Sequence, residues 1–192
     1  MLISERGFIR NLNRACRTEG YIVGVSESGL HISTSNWYME YNMDKVPHKI
    51  LATLVEHMGF LPQIGSFSSV QKKRSGVVVQ EAIPEFVKEQ ILGWSTPELN
   101  KQLVVTQIQC ADSSVLQVID GSYTCFAIPA ERLEMITDNL LSQPIQLKEG
   151  NKVEWFDGDG CITMNMYQPF SGSKYRKIWD LFESKDLRIT SE

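Results

Sequence analysis

Two proline-bracketed stretches constrain this chain most. "VPHKILATLVEHMGFLP" at 46–62 and "IPAERLEMITDNLLSQP" at 128–144 each set an apolar stripe between prolines. Pro47 and Pro129 stand 82 positions apart, as do Pro62 and Pro144. A proline in the first turn of a helix gives up only an N–H that would have no partner, and one past its end stops the helix resuming. In the first stretch Val46, Ile50, Leu51, Leu54, Val55 and Met58 share one broad face, and Gly59 ends it. Tyr41 and Tyr123, Leu51 and Leu133, and Gly76 and Gly158 fall in the same register. A unit of that length is too long for a solenoid. The spacing therefore predicts two similar, closely packed lobes, 1–95 and 96–192, with "STPELN" (95–100) between them.

The rest of the chain follows the same order. Residues 4–18 fit a helix in which Phe8, Ile9, Leu12, Ala15 and Cys16 share a face, Ser4 caps the start and Gly20 closes the end. "YIVGVS", "LHIST" and "WYMEYNM" read as strands joined by the short turns "SESG" and "TSN". After Pro62 comes a hairpin with Lys72, Lys73, Arg74, Ser75 and Gly76 at its tip, then a helix opened by Pro84 with Ile83, Phe86, Val87, Ile91 and Trp94 on one face. "QLVVTQIQC", "SVLQVID" and "SYTCFAI" repeat the three strands, and Pro129 opens the matching helix. "KVEWF" and "CITMNMY" form a hairpin around Asp157–Gly160, and "SKYRKIWDLFES" is the last helix, with Tyr175, Ile178, Trp179 and Phe182 on one face. The expectation is an α+β fold of antiparallel sheets flanked by helices. It is internally duplicated, as an α-βββ-α-ββ-α unit followed by a βββ-α-ββ-α copy.

Composition narrows the function classes. Of 192 residues, 42% are hydrophobic and 22% charged, which is ordinary for a chain that buries a core. The net charge of −4 argues against a generally nucleic-acid-binding surface. No apolar run approaches the ~20 residues that span a bilayer, and charges interrupt "MLISERGFIRNLNRACR", so neither a membrane span nor a secretory signal is expected. Cys16, Cys110, Cys125 and Cys161 are scattered without a C-x-x-C pair, which reads as reduced thiols in a cytoplasmic protein.

No stretch carries a recognisable catalytic, metal or nucleotide motif. "GVSESG" (24–29) lacks the spacing of a nucleophile elbow, and "DGDGC" (157–161) has Cys161 and Gln168 where a calcium loop needs oxygen and Glu. His48 and His57 fall on opposite faces of one helix and cannot share a metal, and no Gly-rich phosphate loop occurs. The expectation is no cofactor and no metal, and enzyme activity is left open with the balance against it.

Two surfaces stand out instead. Arg6, Arg10, Arg14 and Arg17 line one face of the first helix, and guanidinium forks suit carboxylates, so this face reads as a dock for an acidic protein segment. Tyr175 on the last helix is the second candidate contact. The basic tip Lys72, Lys73 and Arg74 reads as a solvated turn that can touch phosphates, although no aromatics are interleaved with it.

The element order over 4–94, repeated over 98–184 without its first helix, resembles the subunit of class I type III secretion chaperones and YbjN-like proteins. That resemblance implies a small cytoplasmic, non-enzymatic chain, here a covalent pseudo-dimer, that holds an extended partner segment by strand addition or charge pairing. The leading expectation is thus a non-catalytic, chaperone- or adaptor-like protein-binding module, monomeric as a pseudo-dimer or homodimeric, with a protein partner. Three alternatives stand beside it. One is an immunity or anti-defence inhibitor. Another is a small-ligand or nucleotide-processing protein with a site between the lobes built from His31, His57, Glu56 or Cys125. The last is a nucleic-acid-binding, clamp-like protein, although nucleic acid is not the expected partner.

Overall fold

The computed structural model describes residues 1–82, 84–141, 143, 145–168 and 176–188. Ile83, Pro144, Tyr175 and the Phe86 side chain, all used in the sequence reading, lie outside the described residues.

Helix α1 (Glu5–Arg17) buries Phe8, Leu12, Ala15 and Cys16 of the five apolar positions that its spacing marks, and Ile9 is half-buried at the edge of the core. Ser4 sits at its N-cap without a side-chain cap bond; its N–H is bonded instead to the Met135 carbonyl. Three strands follow, β1 (Tyr21–Ser26), β2 (Gly29–Ser33) and β3 (Trp37–Tyr41), then α2 (His48–Met58). Pro47 is the N-cap rather than a first-turn residue, and Gly59 takes the left-handed conformation at the C-cap. The apolar face of α2 is narrower than its sequence suggests. Ile50, Leu54 and Met58 are buried, as is Val46 just before the helix, but Val55 is exposed. The hairpin β4 (Phe67–Lys73) and β5 (Gly76–Glu81) turns on Arg74 and Ser75 alone, and α3 (Pro84–Trp94) ends the first half.

The second half begins with β6 (Glu98–Cys110), β7 (Ser113–Val118) and β8 (Cys125–Pro129). The single helix expected after Pro129 is two short ones, α4 (Ala130–Leu133) and α5 (Asp138–Leu141). The break has a long-range cause. The Met135 carbonyl accepts from Ser4 N–H and Thr137 N–H donates to the Leu2 carbonyl, so Met135–Thr137 pairs with the N-terminal segment instead of continuing the helix. A strand not expected, β9 (Ile145–Lys148), precedes β10 (Lys152–Phe156) and β11 (Gly160–Asn165), and α6 (Arg176–Phe182) follows.

Among the described residues eleven strands form one antiparallel sheet in the order β5-β4-β1-β2-β3-β11-β10-β9-β6-β7-β8. The 82-residue register places β4 on β10 and β5 on β11, so the halves repeat with β9 inserted between β10 and β6. Pro47 and Pro129 hold matching N-cap geometry (φ −55°, ψ 131° and φ −54°, ψ 125°). The seam between the halves is the β3–β11 ladder, Tyr41↔Gly160 to Trp37↔Met164. Period-two alternation sorts side chains into layers. Val23, Leu116 and Phe126 face a front layer of α1, α2, α4 and α5 and share one apolar core that crosses both halves. On the back, Ile22 lies under α3 with Val87, whereas Val115, Cys125 and Ala127 lie under α6 with Trp179.

Candidate partner interface

The arginine face of α1 is built against the second half of the chain. Gly7 lies where α1 crosses the turn after α4, so close that a Cβ there would overlap the Glu134 carbonyl. Asn11 Nδ2 donates to the Glu131 carbonyl at 2.8 Å and to the Gly7 carbonyl at 3.0 Å. That tight crossing brings Arg10 onto the Glu134 carboxylate and Arg14 onto that of Glu131. Both pairs are half-exposed, so each adds little stability and the carboxylates leave room for a competing anion.

Three depressions run along this crossing. One of about 590 Å³ has Arg6 and Arg10 on its wall, the next, about 540 Å³, has Arg10, Arg14 and Arg17, and the third, about 250 Å³, has Arg14. At the far end α1 packs against β4, with Gln71 Nε2 donating to the Thr18 carbonyl at 3.0 Å. Lys72 and Arg17 lie close enough to the Cys16 thiol to favour its ionisation, but burial outweighs them and raises its pKa. The Gln71–Thr18 bond sets β4 against the end of α1, so the first-helix stripe and the strand that leads to the hairpin tip, read from the sequence as separate features, lie on neighbouring elements. Lys73 and Arg74 stand beyond Lys72 at the exposed turn. Glu131, Glu134 and Asn11 are the members that the sequence reading missed. The signal was there, an i,i+3 acidic pair in "ERLE" matching the four-residue arginine spacing, but nothing local linked positions so far apart.

His31, His57 and Cys125, offered by the sequence with Glu56 as alternative members of a site between the lobes, are not brought together. Cys125 is buried beneath α6, and burial followed by the Glu183 charge pushes its thiol up to about 11. His57 belongs to the front layer, where Tyr21 Oη (2.9 Å) and Asn13 Oδ1 (2.9 Å) hold its two ring nitrogens. His31 faces the back layer. Its Nε2 accepts from Ser26 Oγ at 2.7 Å, its Nδ1–H donates to Tyr38 Oη at 2.7 Å, and Tyr38 donates to Glu40 at 3.1 Å. Ser26 Oγ also takes the Ser28 N–H at 3.1 Å, so this chain closes the β1–β2 turn and satisfies a buried ring. The "DGDGC" turn likewise has a structural use: Asp157 Oδ2 accepts from Leu2 N–H and from Tyr41 Oη at 2.7 Å. Among the described residues no group of three or more His, Cys, Asp or Glu is gathered for a metal, and no helix is long and apolar enough to cross a membrane.

Burial lowers the pKa of both His31 and His57, against smaller upward pulls from Glu40 and Glu56. A histidine with a lowered folded-state value takes its proton more readily when unfolded, so its contribution is complete above the ordinary value near 6.5 and is lost as pH falls below it. We expect the urea midpoint to be flat from pH 8 to 7 and to fall between pH 6.5 and 5. His31→Asn with His57→Asn should flatten that fall; an identical slope in the double variant contradicts the assignment.

No protein-family model and no curated protein matches the chain. Solved structures that match include the DNA polymerase sliding clamp of Bacillus subtilis (TM-score 0.36, 9% identity, 91% of this chain and 66% of that one). The DNA polymerase III beta chain of Streptococcus pneumoniae matches with TM-score 0.36, 9% identity and coverage of 92% and 67%, and that of Borrelia burgdorferi with 0.36, 9%, 92% and 66%. The chain thus spans about two thirds of the length of these clamps. At such scores the likeness is distant, and nothing about function is taken from it. The expected resemblance to class I type III secretion chaperones and YbjN-like proteins is thereby corrected: the solved structures that this chain matches are sliding clamps. Element order alone had suggested those families, because hairpins and amphipathic helices recur in many folds.

Proposed function

We propose that the chain is a non-catalytic binding module that holds an acidic protein segment along α1. The observation that carries this reading is the depression of about 540 Å³ lined by Arg10, Arg14 and Arg17 together with Glu131, beside the end of β4 that carries Lys72. Guanidinium forks and polar Asn11, Asn13 and Thr18 suit separated carboxylates. Arg10 and Arg14 share their charge with Glu134 and Glu131, whereas Arg17 and Lys72 form no ion pair among the described residues. A segment with spaced acidic residues can reach the unpaired cations and avoid the two glutamates. A continuous phosphate backbone would run past both glutamates, on a protein of net charge −4.

Capture of partners by the tagged chain from its source cells, compared with an Arg17→Glu/Lys72→Glu variant, tests the reading. Both positions are exposed, so the fold is expected to survive. An acidic protein recovered in fixed ratio with the native chain, and lost with the variant, is expected. Equal recovery by both would remove the site from consideration.

A further inference from the structure

We infer that the β5 edge of the sheet pairs with the β5 edge of a second copy of this chain. Among the described residues only β4 pairs with β5, in the register Ser68↔Glu81 to Lys73↔Gly76. Ala82 N–H bonds to the Phe67 carbonyl at 2.9 Å, which makes 67 and 82 a hydrogen-bonded pair. Such pairs recur every second residue in an antiparallel ladder. Gly76, Val78 and Gln80 therefore bond inward to β4, and Val77, Val79 and Glu81 turn their N–H and C=O groups outward. Edges left open in this way are usually shielded by inward-pointing charges, proline or a bulge. Here the outward groups belong to Val77, Val79 and Glu81, with Val77 38% exposed.

The opposite end of the sheet is already closed. At β8, Ala127 exchanges both backbone bonds with Tyr167 (2.8 and 3.0 Å), which blocks the middle of the strand. A head-to-tail β5–β8 contact between copies is therefore obstructed, and β5 is left to meet its own kind across a two-fold axis. Charge selects the antiparallel orientation, and the outward groups select the register. Lys72, Lys73 and Arg74 stand at one end of β5, and Glu81 and Glu85 at the other. Antiparallel pairing with Val79 opposite its copy sets Val77 against the second copy's Glu81 and levels Lys73 with that copy's Glu85, so each basic tip lies at the other copy's acidic end. Both ends then carry unlike charges, and the outward groups of Val77, Val79 and Glu81 are all used.

Light scattering on a sizing column, with each variant and with mixtures, tests this. The native chain should run at twice the chain mass at micromolar concentration. Lys73→Glu/Arg74→Glu and Glu81→Lys/Glu85→Lys each put like charges at both ends, and each should weaken association by about tenfold or more. Mixing the two variants puts unlike charges together again and should restore a mixed dimer. Val77→Pro removes one outward N–H without touching the β4 ladder, and should also give a monomer while far-UV circular dichroism is unchanged. A native chain that is monomeric, a closed assembly of three or more copies, or a mixture no more associated than either variant alone would overturn the pairing.

Discussion

Gly7→Ala is expected to destabilise the protein by about 3 kcal/mol, because a single methyl has nowhere to go at this crossing. The new Cβ would fall on the Glu134 carbonyl, a backbone atom that cannot swing aside as a side-chain end can. To accommodate it, α1 must lift from the turn after α4. The Asn11–Glu131 bond and the Arg10–Glu134 and Arg14–Glu131 pairs would lengthen with it. For a chain of this size the melting temperature should fall by about 6–12 °C. Hydrogen exchange should speed first around 130–137 and at the start of α1. A melting temperature within 2 °C of native would mean that the crossing is looser than described.

Gly160→Val should cost a similar amount, about 2–4 kcal/mol, for a different reason. Gly160 opens β11 opposite Tyr41, and a Cβ there would overlap the Glu40 carbonyl and crowd Tyr41. Here the β3–β11 seam has to open, and among the described residues it is the only strand ladder that joins the two halves of the sheet. Exchange should then rise at 37–41 and 160–165 and leave the α1 crossing protected for longer. The two substitutions together separate the helix contact from the sheet contact between the halves. Protection lost equally at both places in either variant would show that they unfold as one unit.

Much of the architecture is legible in local pattern. The faces of α1 and α2, the β4–β5 hairpin and the proline register follow from residues that decide their own conformation. The misses are long-range. The apolar spacing of Leu133, Ile136 and Leu140 reads as one helix. It is broken because Leu2 and Ser4 take the backbone bonds of Met135 and Thr137 from the far end of the chain. "IQLK" alternates as a strand should, but four residues behind a proline look like a helix exit until β6 and β10 are known to flank them. The site is divided in the same way. The arginines announce themselves at helical spacing, whereas the glutamates that hold two of them, and the lysine on the neighbouring strand, depend on which elements pack together.

The claim that an acidic segment lies along α1 is tested most directly by fluorescence anisotropy with a labelled peptide of spaced glutamates, titrated with the native chain and with Arg17→Glu/Lys72→Glu at several salt concentrations. The account predicts saturable binding by the native chain that weakens with salt, and affinity lower by about tenfold or more in the variant. Equal affinity for both proteins would contradict it. So would tighter and more steeply salt-dependent binding of a single-stranded DNA of equal charge, which would assign the same cations to nucleic acid.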